Sequence, residues 1–109
     1  MTTITITKTS DDAFKAIECN GHAGFAEYGD DIVCAAISVL TINLINSLDS
    51  LTGDDMDVDT DEDQGIIRIR FKSTPSHDGD LLLRSYELGV DSIFRQYGKK
   101  FLNIKFRRE

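Results

Sequence analysis

Two side chains in this sequence have the types and spacing for nucleophilic chemistry: His22 and Cys34. A thiolate is the reactive form of cysteine, and an imidazole titrates close enough to neutrality to take the thiol proton. Both lie in the stretch GHAGFAEYGDDIVCAAIS, from Gly21 to Ser38. Gly21, Gly24 and Gly29 punctuate a part of it with no periodicity, so Gly21–Asp30 reads as a loop. That loop carries His22 and the aromatics Phe25 and Tyr28, and its glycines would let it close over a substrate. Asp30 and Asp31 are residues that start helices, because a carboxylate accepts backbone N–H bonds and suits the positive end. A helix capped there places Cys34 in its first turn, where unpaired N–H groups favour a negative sulfur. The same N–H groups could hold the oxyanion of a tetrahedral intermediate. His22 would then pass the proton to a leaving amine. Asp31 either orients the imidazole or only caps the helix. Spacing alone leaves the plainer alternative open, since a cysteine on an apolar helix often serves as a small buried hydrophobe.

Other chemistries fit less well. Zinc asks for four ligands, or three and a water. Cys19, Cys34, His22 and His77 lack the pairwise spacing for that, so no metal site is expected. His77 falls in a polar loop and should face solvent. An EF-hand in the acidic segment fails for want of the loop glycine and terminal glutamate. The net charge of −7 speaks against a direct nucleic-acid binder and permits steering of a basic partner. Two cysteines make no disulfide scaffold, and no export signal is read at MTTITITKTS, so a reducing cytoplasm is expected. Ile32–Leu51 is interrupted by Ser38, Thr41, Asn43, Asn46, Ser47, Asp49 and Ser50, so no membrane span is expected.

The elements that must position these residues follow from periodicity. The chain of 109 residues, 1–109, reads as one domain. Thr2–Lys8 alternates, with Ile4 and Ile6 on one face and threonines on the other, a half-buried strand. Ala13–Asn20 is a second strand with ambiguous alternation, and Cys19 is a packing residue on it. The helix after the loop runs to about Leu51 and is apolar on more than one side, so it is either central or meets both a sheet and a partner subunit. Met56, Val58 and Thr60 alternate with aspartates, and Ile67, Ile69 and Phe71 alternate with Arg68, Arg70 and Lys72. These predict two strands joined by cross-strand ion pairs. Leu82, Tyr86, Val90, Ile93 and Tyr97 predict a second helix from Asp80 to about Tyr97, despite Gly89 inside it. Phe101–Arg107 closes the chain as a strand with Leu102, Ile104 and Phe106 inward. The order ββαββαβ with short connections predicts an α+β two-layer sandwich, a mostly antiparallel sheet with two helices packed on one face.

The motif residues also carry a resemblance. Gly21-His22-Ala23, Gly29, Asp31-Ile32-Val33-Cys34-Ala35-Ala36 and Ser38 resemble the signature of the ribosomal-processing cysteine proteases, the Prp family. Length and element order resemble that family over the whole chain. The resemblance implies that His22 and Cys34 are the catalytic pair and that Asp31 matches the family's aspartate. It implies a substrate that is the N-terminal extension of a large-subunit ribosomal protein. It also implies a homodimer that needs no cofactor. Two other possibilities remain at this point: a thiol-dependent acyl-transfer enzyme of another kind, and a non-catalytic ribosome-assembly or interaction module with Cys34 as helix packing.

Overall fold

The computed structural model describes residues 1–21 and 28–109, and for residues 28–31 the backbone alone. Seven elements follow in the order β1 (Thr2–Lys8), β2 (Phe14–Asn20), α1 (Tyr28–Leu51), β3 (Met56–Asp61), β4 (Ile66–Phe71), α2 (His77–Tyr97) and β5 (Leu102–Arg108). The sheet order is β3-β4-β2-β1-β5. β1–β2, β2–β4 and β3–β4 are antiparallel, and β1–β5 is parallel. The α+β, mostly antiparallel architecture expected from the element order is the one observed. Its one parallel pair arises because the connection into β5 runs through α2 and returns the chain to the β1 edge in the same direction.

One face of the sheet is apolar and meets both helices. Ile4 stands opposite Cys19 and Ile104, and Ile6 opposite Ile17. All of these but Ile104, which is half-buried and packs against them, join Val33, Ile37, Leu44 and Leu48 of α1 and Leu83, Tyr86 and Val90 of α2 in one buried cluster. Each fully buried isoleucine or leucine contributes about 1.5–3 kcal/mol by leaving water. The ambiguous alternation of β2 is resolved by a bulge. The register steps from Thr7↔Ala16 to Lys8↔Phe14, which skips Lys15 and turns Phe14 onto the core face with Ile17 and Cys19. The opposite face is polar, and the expected cross-strand pairs form there. Arg68 Nε donates to Glu18 at 2.6 Å, and Lys72 Nζ lies 3.6 Å from Asp57. Exposed pairs like these stabilise little.

Several expectations need correction. Thr2 lies on the Ile4 face and is fully buried, so the threonines of β1 are not all on the outer side. Phe106 is 63% exposed, because β5 is an edge strand and cover from α2 runs out along it: Leu102 is fully buried, Ile104 half-buried. α2 begins at His77 rather than Asp80. Its cap is Ser76, whose Oγ accepts from Gly79 N–H at 3.1 Å and donates to Asp54 Oδ2 at 2.9 Å. His77 is therefore the first helical residue, though exposed as expected. Gly89 is tolerated inside α2 because a Cβ there would stand 3.1 Å from Leu40 Cδ1, so the glycine lets the helices approach. Ile32–Leu51 is, by length and a mean hydropathy of 1.7, long and apolar enough to cross a membrane, against the expectation from its polar interruptions. In this fold it is the core helix, and Val33, Ile37, Thr41, Leu44 and Leu48 face inward at helical spacing.

Thr41 shows how a polar residue fits that inward stripe. Its hydroxyl donates to the Ile37 carbonyl at 2.8 Å. With its proton so used, it accepts from Tyr86 Oη–H at 2.9 Å. This bond ties α1 to α2 inside the core, and burial pushes the Tyr86 phenol well above its ordinary range.

Candidate functional site

The two cysteines are both free and differ in surroundings. Cys19 sits mid-sheet on β2, 5% exposed. Burial pushes its thiol up from 9.0 to about 11, and the nearby Thr41 hydroxyl offsets only part of that. It stays neutral and unreactive near pH 7. Cys34 is half-buried on α1. Its Sγ lies 3.2 Å from Thr2 Oγ1, across from the first residue of β1. Cys34 is thus held between the helix and the end of the central sheet, with part of its surface open.

The helix start is not where the sequence suggested. α1 begins at Tyr28, so Cys34 is its seventh residue. At a rise of about 1.5 Å per residue it stands about 9 Å along the axis, beyond the first turn. The unpaired N–H groups and the dipole effect are confined to that turn, so neither acts directly on Cys34 as expected. Asp30 and Asp31 lie inside the helix and neither is the residue that caps it. Tyr28 and Gly29, expected in the loop, form its first two residues. The helix extends N-terminally past the aspartates because Tyr28 and Gly29 join the ladder that the long apolar segment propagates.

Gly21 also departs from the hinge role. Its φ is +99°, and its N–H donates to the Gly65 carbonyl at 3.2 Å. A Cβ at this position would stand 2.6 Å from the Met1 carbonyl oxygen. Only glycine fits both demands, so Gly21 pins the end of β2 against β1 and the β3–β4 turn. His22, Gly24 and Phe25 lie outside the described residues. The same holds for the side chains of Tyr28 and Asp31.

Downstream of Cys34 by one helical turn, Ser38 opens a groove of about 260 Å³ between α1 and the β3–β4 hairpin. Ile42 and Ile45 of α1 and Ile66 and Ile67 of β4 line it, together with Thr60, Asp61 and Glu62. An apolar groove with an acidic rim is suited to a chain carrying both apolar and basic side chains. Among the described residues, no group of His, Cys, Asp and Glu side chains is placed to hold a metal ion.

Sequence reasoning missed Thr2 and Thr41. Thr2 gave a signal, since even numbering puts it in line with Ile4 and Ile6. Thr41 gave one as well, since it falls four residues after Ile37 on the inward stripe.

Comparison with known proteins gives this geometry its context. The profile of a family described as "Cysteine protease Prp" matches residues 1–102. The ribosomal processing cysteine protease Prp of Staphylococcus aureus (strain Mu50 / ATCC 700699) is 30% identical over 106 residues, covering 96% of this chain and 100% of that protein. The crystal structure of an essential ribosomal processing protease Prp from S. aureus in complex with a substrate peptide matches with a TM-score of 0.88 at 28% identity, each chain covered to 100%. A structure of Prp from S. aureus with a covalently linked product peptide matches with a TM-score of 0.87 at 27% identity, over 98% of this chain and 100% of that one. Fold and family together define a protease that works through a cysteine. The chain belongs to the family of the Prp cysteine proteases.

Proposed function

We propose that this cysteine protease removes the N-terminal extension of a large-subunit ribosomal protein, with Cys34 as nucleophile and His22 as general base and acid. The observation that carries the assignment is the contrast between the thiols: Cys34 is half-buried on α1, whereas Cys19 is sealed in the core with its thiol at about 11. Relatives of nearly the same length that are named as ribosomal processing proteases support the substrate class. So does a fold match to one holding a covalently linked product peptide.

In this mechanism the Cys34 thiolate attacks the scissile carbonyl and a C–S bond forms. His22 has taken the thiol proton and gives it to the departing amine, so the C–N bond breaks. Water, deprotonated by His22, then cleaves the thioester and restores the thiol. The groove beyond Ser38 would receive substrate residues beside the scissile bond, and its acidic rim suits a basic ribosomal protein.

The protein is further proposed to act as a homodimer in the cytoplasm. Val39 of α1 is 68% exposed. Val39 borders an open depression with Ala35, Ala36, Leu40, Gly89 and Ile93. A second copy would cover this surface by the commonest symmetry of self-association. Two free cysteines suit a reducing compartment.

Incubation with the co-resident extended ribosomal protein, followed by intact mass measurement, tests the function. One new amino terminus within the extension is expected. An unchanged substrate mass with unmodified enzyme, whose Cys34 is readily alkylated by iodoacetamide in a parallel sample, would reject the substrate assignment and leave the thiol chemistry standing.

A further inference from the structure

We propose that Thr2 is a positioning residue for Cys34: its buried hydroxyl hydrogen-bonds Sγ, fixes the sulfur's direction and stabilises the thiolate. The inference rests on the reading of Cys34 as the nucleophile. Thr2 is fully buried, at 0% exposure, on the core face of β1. A buried hydroxyl without a partner is costly, and the partner its oxygen finds is Cys34 Sγ at 3.2 Å. The neutral thiol is a weak acceptor, so it satisfies this hydroxyl poorly. A thiolate is a charged acceptor, and a bond to it is about twice as strong as a neutral one. The hydroxyl therefore favours the deprotonated form.

Thr2 is itself held firmly. Its N–H donates to the Phe101 carbonyl at 3.1 Å, and it stands opposite Leu102 in the parallel β1–β5 ladder. A branched side chain on a paired strand has little rotamer freedom. The hydroxyl is thus preorganised, and the sulfur adapts to it. This supplies what the helix start cannot, since Cys34 lies beyond the first turn of α1.

Cys19 on β2 is neutral near pH 7, with its thiol at about 11. Asp30 and Asp31 precede Cys34 on α1, and the amine of Met1 adjoins Thr2 in sequence. None of these charges changes when the hydroxyl is exchanged for a methyl group.

The test compares Thr2→Val, which keeps the shape and loses the hydroxyl, with Thr2→Ser, which keeps the hydroxyl and loses the methyl. Iodoacetamide labelling of Cys34 is followed against pH with the site read by mass spectrometry, and cleavage is measured on the same samples. Thr2→Val should move the labelling profile to higher pH and slow labelling at pH 7 by about tenfold, the scale of one hydrogen bond to a charged group. Cleavage should fall through kcat with KM little changed, and Thr2→Ser should restore both. If Thr2→Val does not fold, Thr2→Ala against Thr2→Ser isolates the hydroxyl equally well. A labelling profile that does not move on loss of the hydroxyl overturns the role of Thr2. Cys34→Ala serves as the separate control: if it still cleaves, the reading of Cys34 as nucleophile fails, whatever Thr2 does.

Discussion

Cys19 faces the core from the middle of β2, while Cys34 stands on α1 with part of its surface open. Each lies near a threonine hydroxyl, Thr41 for Cys19 and Thr2 for Cys34. The hydroxyls do not decide the difference. Desolvation is the largest influence on Cys19 and pushes its thiol up to about 11 in spite of Thr41. A thiol becomes useful for catalysis only where the burial is incomplete and something favours its anion. The fold supplies the first condition at Cys34 by placing it at the end of the α1–sheet contact. In the proposed mechanism, His22 and the Thr2 hydroxyl beside Sγ supply the second.

The comparison breaks most sharply at Cys34. Cys34→Ala should lower cleavage by about a thousandfold or more, the scale of losing a catalytic nucleophile. Its melting temperature should fall only modestly: alanine suits a helix, but the buried Thr2 hydroxyl loses its Cys34 partner, at a cost of about 1–3 kcal/mol. Full cleavage by this variant would remove the distinction between the thiols. His22→Ala should cost about a hundredfold or more in single-turnover rate, the usual range for general acid–base catalysis. A variant that cleaves at the parent rate would take His22 out of the mechanism.

Cys19 should respond in stability and not in rate. Cys19→Ala leaves a small cavity under the sheet and should cost about 1–2 kcal/mol in urea unfolding, with kcat retained. The sign of the pH effect follows from the raised folded value. The unfolded thiol ionises near 9.0 and the folded one near 11, so the stabilisation is fully present below pH 9. It is lost as pH rises from 9 to 11, at no more than about 1.4 kcal/mol per pH unit. Urea midpoints across that range should fall less steeply in Cys19→Ala than in the parent. Equal slopes would show that Cys19 is not the group responsible.

The smallest effect expected is that of salt. Steering of a basic substrate by the net charge of −7 should make cleavage efficiency fall a few-fold between low and physiological ionic strength. The acidic segment contributes less than its composition suggests. Asp54 anchors the Ser76 cap, and Asp57 and Asp59 pair with Lys72 and Arg68. Cleavage independent of salt would remove steering from the mechanism.

The strands were legible because Ile4, Ile6, Ile67, Ile69 and Phe71 alternate with polar residues, and period 2 fixes which face is buried. The bulge at Lys8 was not legible, since one skipped residue in β2 has no periodic signature. Nor was the start of α1. Aspartates favour helix caps but also fit a first turn, and the two placements differ by enough to move Cys34 out of reach of the helix end. The thiol was legible from residue type and motif, whereas its contact with Thr2 joins residues 32 positions apart and needs the fold. Phe106 looked inward by alternation alone, and only the limited cover along edge strand β5 shows why it is exposed.

Partial alkylation followed by cleavage tests the assignment of Cys34 most directly. The protein is treated with iodoacetamide at pH 7 to graded extents, the modified site is read by peptide mass, and cleavage of the extended ribosomal protein is measured on each sample. Activity should fall in proportion to modification of Cys34 and reach zero when that site is full, with Cys19 unmodified throughout. Cleavage that persists with Cys34 fully alkylated would contradict the assignment.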